Sequence, residues 1–284
     1  MARLTTAGEG RRSTALRALV PLVLVALLLA GCGSDSTPPT ASSAGPSAPA
    51  TTAPSPVPPE PRQPQTSIPS LPPQGLGTGD RGEHVRAVEA RLQELRFDVG
   101  SVDGLFDDNT TFAVQAFQKV AGLPRDGRVS AVVAERLLAA QPPPPLVPGG
   151  GRTRVEIDLP RQVLFLYEND ALSTVLPVSS GTGERFCADG GCGVAVTPAG
   201  AFRVDYWDPG WRVSRLGRLY NPVYIFPREG IAIHGYHDVP TEPASHGCVR
   251  IPMSAAEWFP EKVPKGTPVY VLDGQTPVAP LAPG

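Results

Sequence analysis

Residues 234–250 read HGYHDVPTEPASHGCVR, and they gather His234, His237 and His246 around a single cysteine, Cys248. A thiol among imidazoles, flanked by Gly247, is the raw material of a cysteine nucleophile. Because the thiolate is the reactive species and a free thiol has a pKa of about 8.5, a neighbouring imidazole is expected to raise its population at neutral pH. Upstream, Ile231 to His234 has the composition of a strand and ends at Gly235, so His234 would project from a rigid edge toward the loop that returns to Cys248. His246 lies two residues from Cys248 and shares its face in an extended segment, but local backbone geometry limits how its ring can meet the sulfur. His234 is therefore the expected base and His246 an orienting residue, while His237 is structural or substrate-adjacent. Gly247 lets backbone approach a substrate closely, and the amides of His246, Gly247 and Cys248 are candidate oxyanion donors.

Working outward, the surrounding sequence alternates in the manner of strands. Val155 to Asp158, Val163 to Tyr167, Ala171 to Val178, Ala201 to Trp207, Leu219 to Phe226 and Pro268 to Leu272 are predicted strands, and Ser254 to Phe259 a short helix with Ser254 and Glu257 spaced as a capping box. Residues 153–273 thus form a mostly β domain of about 120 residues, large enough for its own core, with 274–284 as a tail. Cys187 and Cys192 sit in FCADGGCG. In an exported chain their close spacing favours a disulfide, since Asp189 is the only other metal ligand between them.

The quoted stretch resembles the signature of the L,D-transpeptidase (YkuD-type) family in His234, Ser245, His246, Gly247, Cys248, Val249 and Arg250. Ser180 to Gly183, Thr197 to Gly200 and Gly230 to Gly235 resemble that family's STG, TPxG and GIHG segments. The spacer from His234 to Ser245 is on the short side for the family, and FCADGGCG resembles an insertion, so both would reshape the substrate cleft. The resemblance implies a sandwich domain and a cysteine-dependent acyltransferase: Cys248 as nucleophile, His234 as proton donor and acceptor, His246 orienting, the Gly247 backbone at the oxyanion, and Ser245, Arg250, Gly235 and Tyr236 at the substrate. It further implies attack after the third residue of a tetrapeptide stem, a thioester on the cysteine, and transfer to the side-chain amine of another stem, giving a 3-3 cross-link without metal, nucleotide or other cofactor. An L,D-carboxypeptidase, with water as acceptor, is the alternative within the family. Outside it stand a zinc peptidase using His234, His237, His246 and Cys248 with Glu242 as its nearest glutamate, and a cell-wall-binding lipoprotein without catalysis.

The N-terminal half has a different texture. Val85, Val88, Leu92 and Leu95 recur at helical spacing, Phe112 to Val120 marks a second helix stopped by Gly122, and Ser130 caps a third carrying Val133, Leu137 and Leu138. This three-helix bundle, residues 77–140, resembles the peptidoglycan-binding domain type 1 family in its Asp103-Gly104 and Asp126-Gly127 turns and in Ala113, Phe117 and Gln118; Asp107 or Asp108 stands where that family usually has glycine. The resemblance implies peptidoglycan as partner. Residues 141–152, QPPPPLVPGGG with its neighbour, are expected to form a linker stiff at its start and flexible at its end. Residues 32–76, Pro, Ser, Thr and Ala with almost no large apolar side chain, cannot bury a core and are expected to be a disordered tether. Residues 1–31 combine Arg3, Arg11, Arg12 and Arg17 with an apolar run from Ala18 to Ala30, shorter than the roughly 20 residues of a membrane span, and so read as an export signal. Leu29-Ala30-Gly31-Cys32 resembles a bacterial lipobox, which implies lipidation at Cys32, a membrane anchor and a place in the cell envelope facing the wall. A formal net charge of -2 with no basic run beyond the first residues argues against nucleic acid.

Overall fold

The computed structural model describes residues 67–188 and 190–282. The expected signal, the expected lipidation site at Cys32, most of the tether, and Asp189 lie outside them.

Three helices come first: α1 (Glu83–Glu94), α2 (Asp108–Ala121) and α3 (Ala131–Ala139). Each buries the stripe its spacing marks, with Val85, Val88, Leu92 and Leu95 on or just after α1, Phe117 on α2, and Val133 and Leu137 on α3; Leu138 instead faces out, 42% exposed. The caps are local chemistry. Asp107 accepts from the Thr110 N–H and Ser130 from that of Val133, while Gly122 ends α2 in the left-handed region. The two Asp-Gly turns are held by buried helix side chains. Glu89 accepts the Gly104 N–H at 2.8 Å, and Gln118 accepts that of Gly127 at 2.9 Å while donating to Asp126 at 2.7 Å.

The rest of the chain runs β1 (Arg154–Asp158), β2 (Val163–Glu168), β3 (Ala171–Pro177), β4 (Arg185–Ala188), β5 (Gly191–Val194), β6 (Gly200–Arg203), β7 (Tyr206–Trp207), β8 (Trp211–Ser214), β9 (Gly217–Phe226), β10 (Ile231–Gly235), β11 (Val249–Ile251), α4 (Met253–Lys262) and β12 (Pro268–Leu272). One sheet has the order β3-β2-β1-β12-β6; the second has β11-β10-β9-β7, with β8 also on β9; β4 and β5 form a separate hairpin. The two large sheets share one apolar core with α4, built from Val155, Leu164 and Val271 on one side and Val223, Ile233 and Val249 on the other. This is a three-helix module followed by a mostly β domain.

Several expectations change on contact with the structure. Ala201 to Trp207 is not one strand: β6 belongs to the first sheet and β7 to the second, and the chain crosses between them at Val204, whose N–H donates to Thr267, and Asp205, whose N–H donates to Tyr224. The Ser254 and Glu257 capping box does not form. Pro252 occupies the N-cap of α4, Ser254 donates to Asn109 at 2.6 Å, and Glu257 accepts from the Tyr220 hydroxyl. The alternation of β1 holds, yet its polar residues are buried: Arg154 and Glu156 pair at 2.7 Å beneath residues 146–150, where Leu146 donates its N–H to Glu156 and Gly150 accepts from Tyr270. The Pro/Gly segment is thus packed against the β domain. The outer face of β2 and β3, with Val163, Phe165, Tyr167 and Val175, joins the core of the helical module. A strand covered on both faces reads as the continuous apolar run seen at 163–167.

Candidate active site

Cys248 lies just before β11, whose parallel pairing with β10 sets Ile233 opposite Val249 and His234 opposite Arg250. Extending that register by one residue places Cys248 opposite Ala232, so Cys248, His234 and Arg250 share one face of the sheet. All three line a cavity of about 280 Å³, with Tyr224, Tyr236 and the β8–β9 hairpin forming other walls. Arg250 lies over the Tyr236 ring at 4.4 Å.

The electrostatics follow from burial. His234 is 5% exposed, and desolvation lowers its pKa to about 4, with the nearby Arg250 charge acting in the same direction. Its Nδ1 lies 3.0 Å from the Gly235 carbonyl, which can only accept, so Nδ1 carries the proton and Nε2 keeps its lone pair. Burial likewise pushes the Cys248 thiol up, against the opposing pull of the Ala232 backbone and Arg250. The sulfur donates to the Gly230 carbonyl at 3.5 Å. Desolvation thus works against charge on either group.

The loop is pinned from within. Ser245 Oγ accepts the Gly247 N–H at 3.0 Å and donates to the Cys248 carbonyl at 2.5 Å. Thr197 Oγ1 donates to the Gly247 carbonyl at 2.7 Å and accepts the Gly181 N–H at 2.9 Å. Gly247 itself has φ +139°, and a Cβ there would stand 2.9 Å from the Val196 carbonyl oxygen.

The fold containing this site matches known proteins. The L,D-transpeptidase catalytic domain family (YkuD) matches residues 152–271, and the peptidoglycan binding domain family PG_binding_1 matches residues 81–137. A solved L,D-transpeptidase from Xylanimonas cellulosilytica is 37% identical over 72% of this chain and 100% of its own, with a TM-score of 0.65. The chain belongs to the L,D-transpeptidase family. A second solved L,D-transpeptidase, from Stackebrandtia nassauensis, is 22% identical over 73% of this chain and 100% of its own, with a TM-score of 0.43. No curated protein matches.

Within this L,D-transpeptidase the structure brings Cys248, His234, His246, Tyr236, Ser245 and Arg250 to one cavity. Three expected roles change. The Gly247 N–H is buried against Ser245 and is not turned to the cavity as an oxyanion donor. The Ser245 hydroxyl is committed to the loop backbone, so it pins the nucleophile rather than binding substrate. Gly235 is buried against α4, where a Cβ would meet that of Ala256 at 2.6 Å; it offers its carbonyl to His234 and does not line the cavity. His246 is exposed and packs edge-on against Phe186, ring centroids 4.7 Å apart. Phe186 belongs to the β4–β5 hairpin, where Cys187 and Cys192 are bonded. His237 packs against Trp211 at 5.6 Å. Among the described residues, no group of three or more His, Cys, Asp and Glu is placed to hold a metal. Sequence reasoning missed Tyr224, the β8–β9 wall and the pinning role of Thr197, whose only signal was its place in the TPAG segment.

Proposed function

We propose that this chain forms 3-3 cross-links in peptidoglycan through a thioester on Cys248. The observation that carries the reading is the shared face of Cys248 and His234 at the cavity, with His234 held as the neutral tautomer whose Nε2 can accept a proton. Cys248 Sγ attacks the carbonyl carbon of the third stem residue while its proton passes to His234 Nε2. The amides of His246 and Cys248 stabilise the oxyanion. Collapse breaks the C–N bond, the imidazolium returns the proton to the departing D-alanine amine, and the acyl group stays on sulfur. A side-chain amine of a second stem then attacks the thioester and gives a proton to His234 Nε2, and Cys248 leaves as a thiolate that takes up that proton. An imidazole with a pKa of about 4 is a weak resting base but a strong acid once protonated, which favours leaving-group protonation. Arg250 and Tyr236 hold the polar stem of the substrate, and His246, braced by Phe186, orients it from the rim.

The PG_binding_1 module concentrates the enzyme on the wall, and lipidation of Cys32 would hold it at the outer face of the membrane. Incubating the chain with purified tetrapeptide muropeptides and weighing the products tests this reading. Dimers lacking one D-alanine are expected from the native chain and not from Cys248→Ala. Tripeptide monomers alone would instead establish the carboxypeptidase.

A further inference from the structure

The helical module reaches the nucleophile loop through two cations that no catalytic role accounts for. Lys119, on α2, is 2% exposed, and its Nζ donates to the carbonyls of Gln162 and Val178, each at 3.1 Å. The Gln162 side chain accepts the Ser180 N–H at 2.7 Å and donates to the Ser180 hydroxyl at 2.8 Å. The Ser180 carbonyl accepts the N–H groups of Ala244 and Ser245 at 3.0 and 2.9 Å, and Ser245 spans Gly247 and Cys248. A second path starts at Arg125, just beyond α2. Its Nη1 donates to the Thr241 carbonyl and to Glu242 Oε1, each at 3.0 Å. The Glu242 carbonyl accepts from Ser179 Oγ at 2.8 Å, and Ser179 exchanges both backbone hydrogen bonds with Arg250.

Both paths end on residues 241–250, one at each side of Cys248. Adhesion between the modules does not require them, because Val163, Phe165, Tyr167 and Val175 already bury an apolar junction. An ammonium in such a junction is expensive to desolvate, and burial lowers the Lys119 pKa to about 7. A buried amine kept at that cost is explained by the two carbonyls it fixes.

We infer that Lys119 and Arg125 are positioning residues for acyl transfer, so that the helical module completes the catalytic domain by fixing the Cys248 loop as well as binding the wall. This rests on Cys248 being the attacking sulfur. A carbapenem carries a strained lactam amide that a thiolate can open, so the assay is its acylation of Cys248 in the full chain, followed by intact mass against time at several drug concentrations, which separates the limiting rate from half-saturation.

Misplacement of a nucleophile by about 1 Å costs up to roughly a hundredfold, so Arg125→Ala and Lys119→Met are expected to lower the limiting rate about tenfold or more, with half-saturation nearly unchanged. Arg125→Lys, which keeps a donor for the Thr241 carbonyl, should recover part of the loss. Ser254→Ala removes the 2.6 Å bond to Asn109, another link between the same two modules but outside residues 241–250 and on neither path, and should acylate at the native rate. Arg125 is partly exposed, so its variant serves even where Lys119→Met does not fold. Native acylation by Arg125→Ala, or an equal loss in Ser254→Ala, overturns the inference alone. A native chain that is not acylated at Cys248 removes the nucleophile assignment and the inference with it.

Discussion

Replacing Gly247 by alanine tests how tightly the nucleophile loop is fitted. At φ +139° an L-residue is strained by about 1–3 kcal/mol. The new methyl would also stand 2.9 Å from both the Val196 carbonyl oxygen and Ile231 Cδ1. Val196 cannot easily retreat, since the adjacent Thr197 is tied to Gly181 and Gly247 by bonds of 2.9 and 2.7 Å. The loop must move instead, which loosens the buried Thr197 bond to the Gly247 carbonyl at a further cost of about 1–3 kcal/mol. Together, about 2–6 kcal/mol corresponds to a fall in Tm of at least about 4 °C, and of about 8–16 °C at the middle of that range, for a body of this size. The same shift displaces Cys248, and acylation by a carbapenem should slow by on the order of a hundredfold. Thermal melting by circular dichroism and the rate of mass gain at Cys248 measure the two effects. A variant with native Tm and native acylation would refute the claim that this backbone geometry holds the sulfur in place.

Other perturbations separate structural from chemical roles. Arg154→Met should lower stability by about 3–5 kcal/mol in urea unfolding, because it leaves the Glu156 carboxylate buried without its cation. In a full-length Cys32→Ser chain, thiol titration under denaturing, non-reducing conditions should find one group, Cys248, and three would exclude the Cys187 to Cys192 bond. For His234, the unfolded chain takes up a proton as pH falls through about 6.5, while the folded chain does so only near 4. Its contribution to stability is therefore intact above pH 6.5 and lost progressively between 6.5 and 4, by about 3 kcal/mol in all; His234→Asn should flatten that window in unfolding curves taken across pH.

Much of the fold was legible because local rules and tertiary packing agree. Val85, Val88 and Leu92 show the buried face of α1, and Ser130 caps α3 as its position before the apolar run predicts. The rules failed where a tertiary partner competed. Ser254 and Glu257 have the spacing of a capping box, but Asn109 and the Tyr220 hydroxyl take their side chains. The run from Ala201 to Trp207 keeps its strand composition through a corner, and composition does not say which sheet a residue joins.

The site divides along the same line. Its residue types lie together in one short stretch, so Cys248 and His234 are legible without the parallel register that sets them on one face. Gly247 reads as an oxyanion residue because a glycine required by φ +139° and a neighbouring carbonyl looks, in sequence, like one required by a substrate. Lys119 and Arg125 left no trace at all. Cations on and beside an amphipathic helix read as its solvated face, and, the Glu242 carboxylate apart, their acceptors are backbone carbonyls 43, 59 and 116 residues away. Every residue except proline offers the same carbonyl and amide to a partner, so no side-chain type marks the receiving end of such a contact. Links of this kind, side chain to distant backbone, therefore escape both periodicity and motif, even where they join one module to the chemistry of the next.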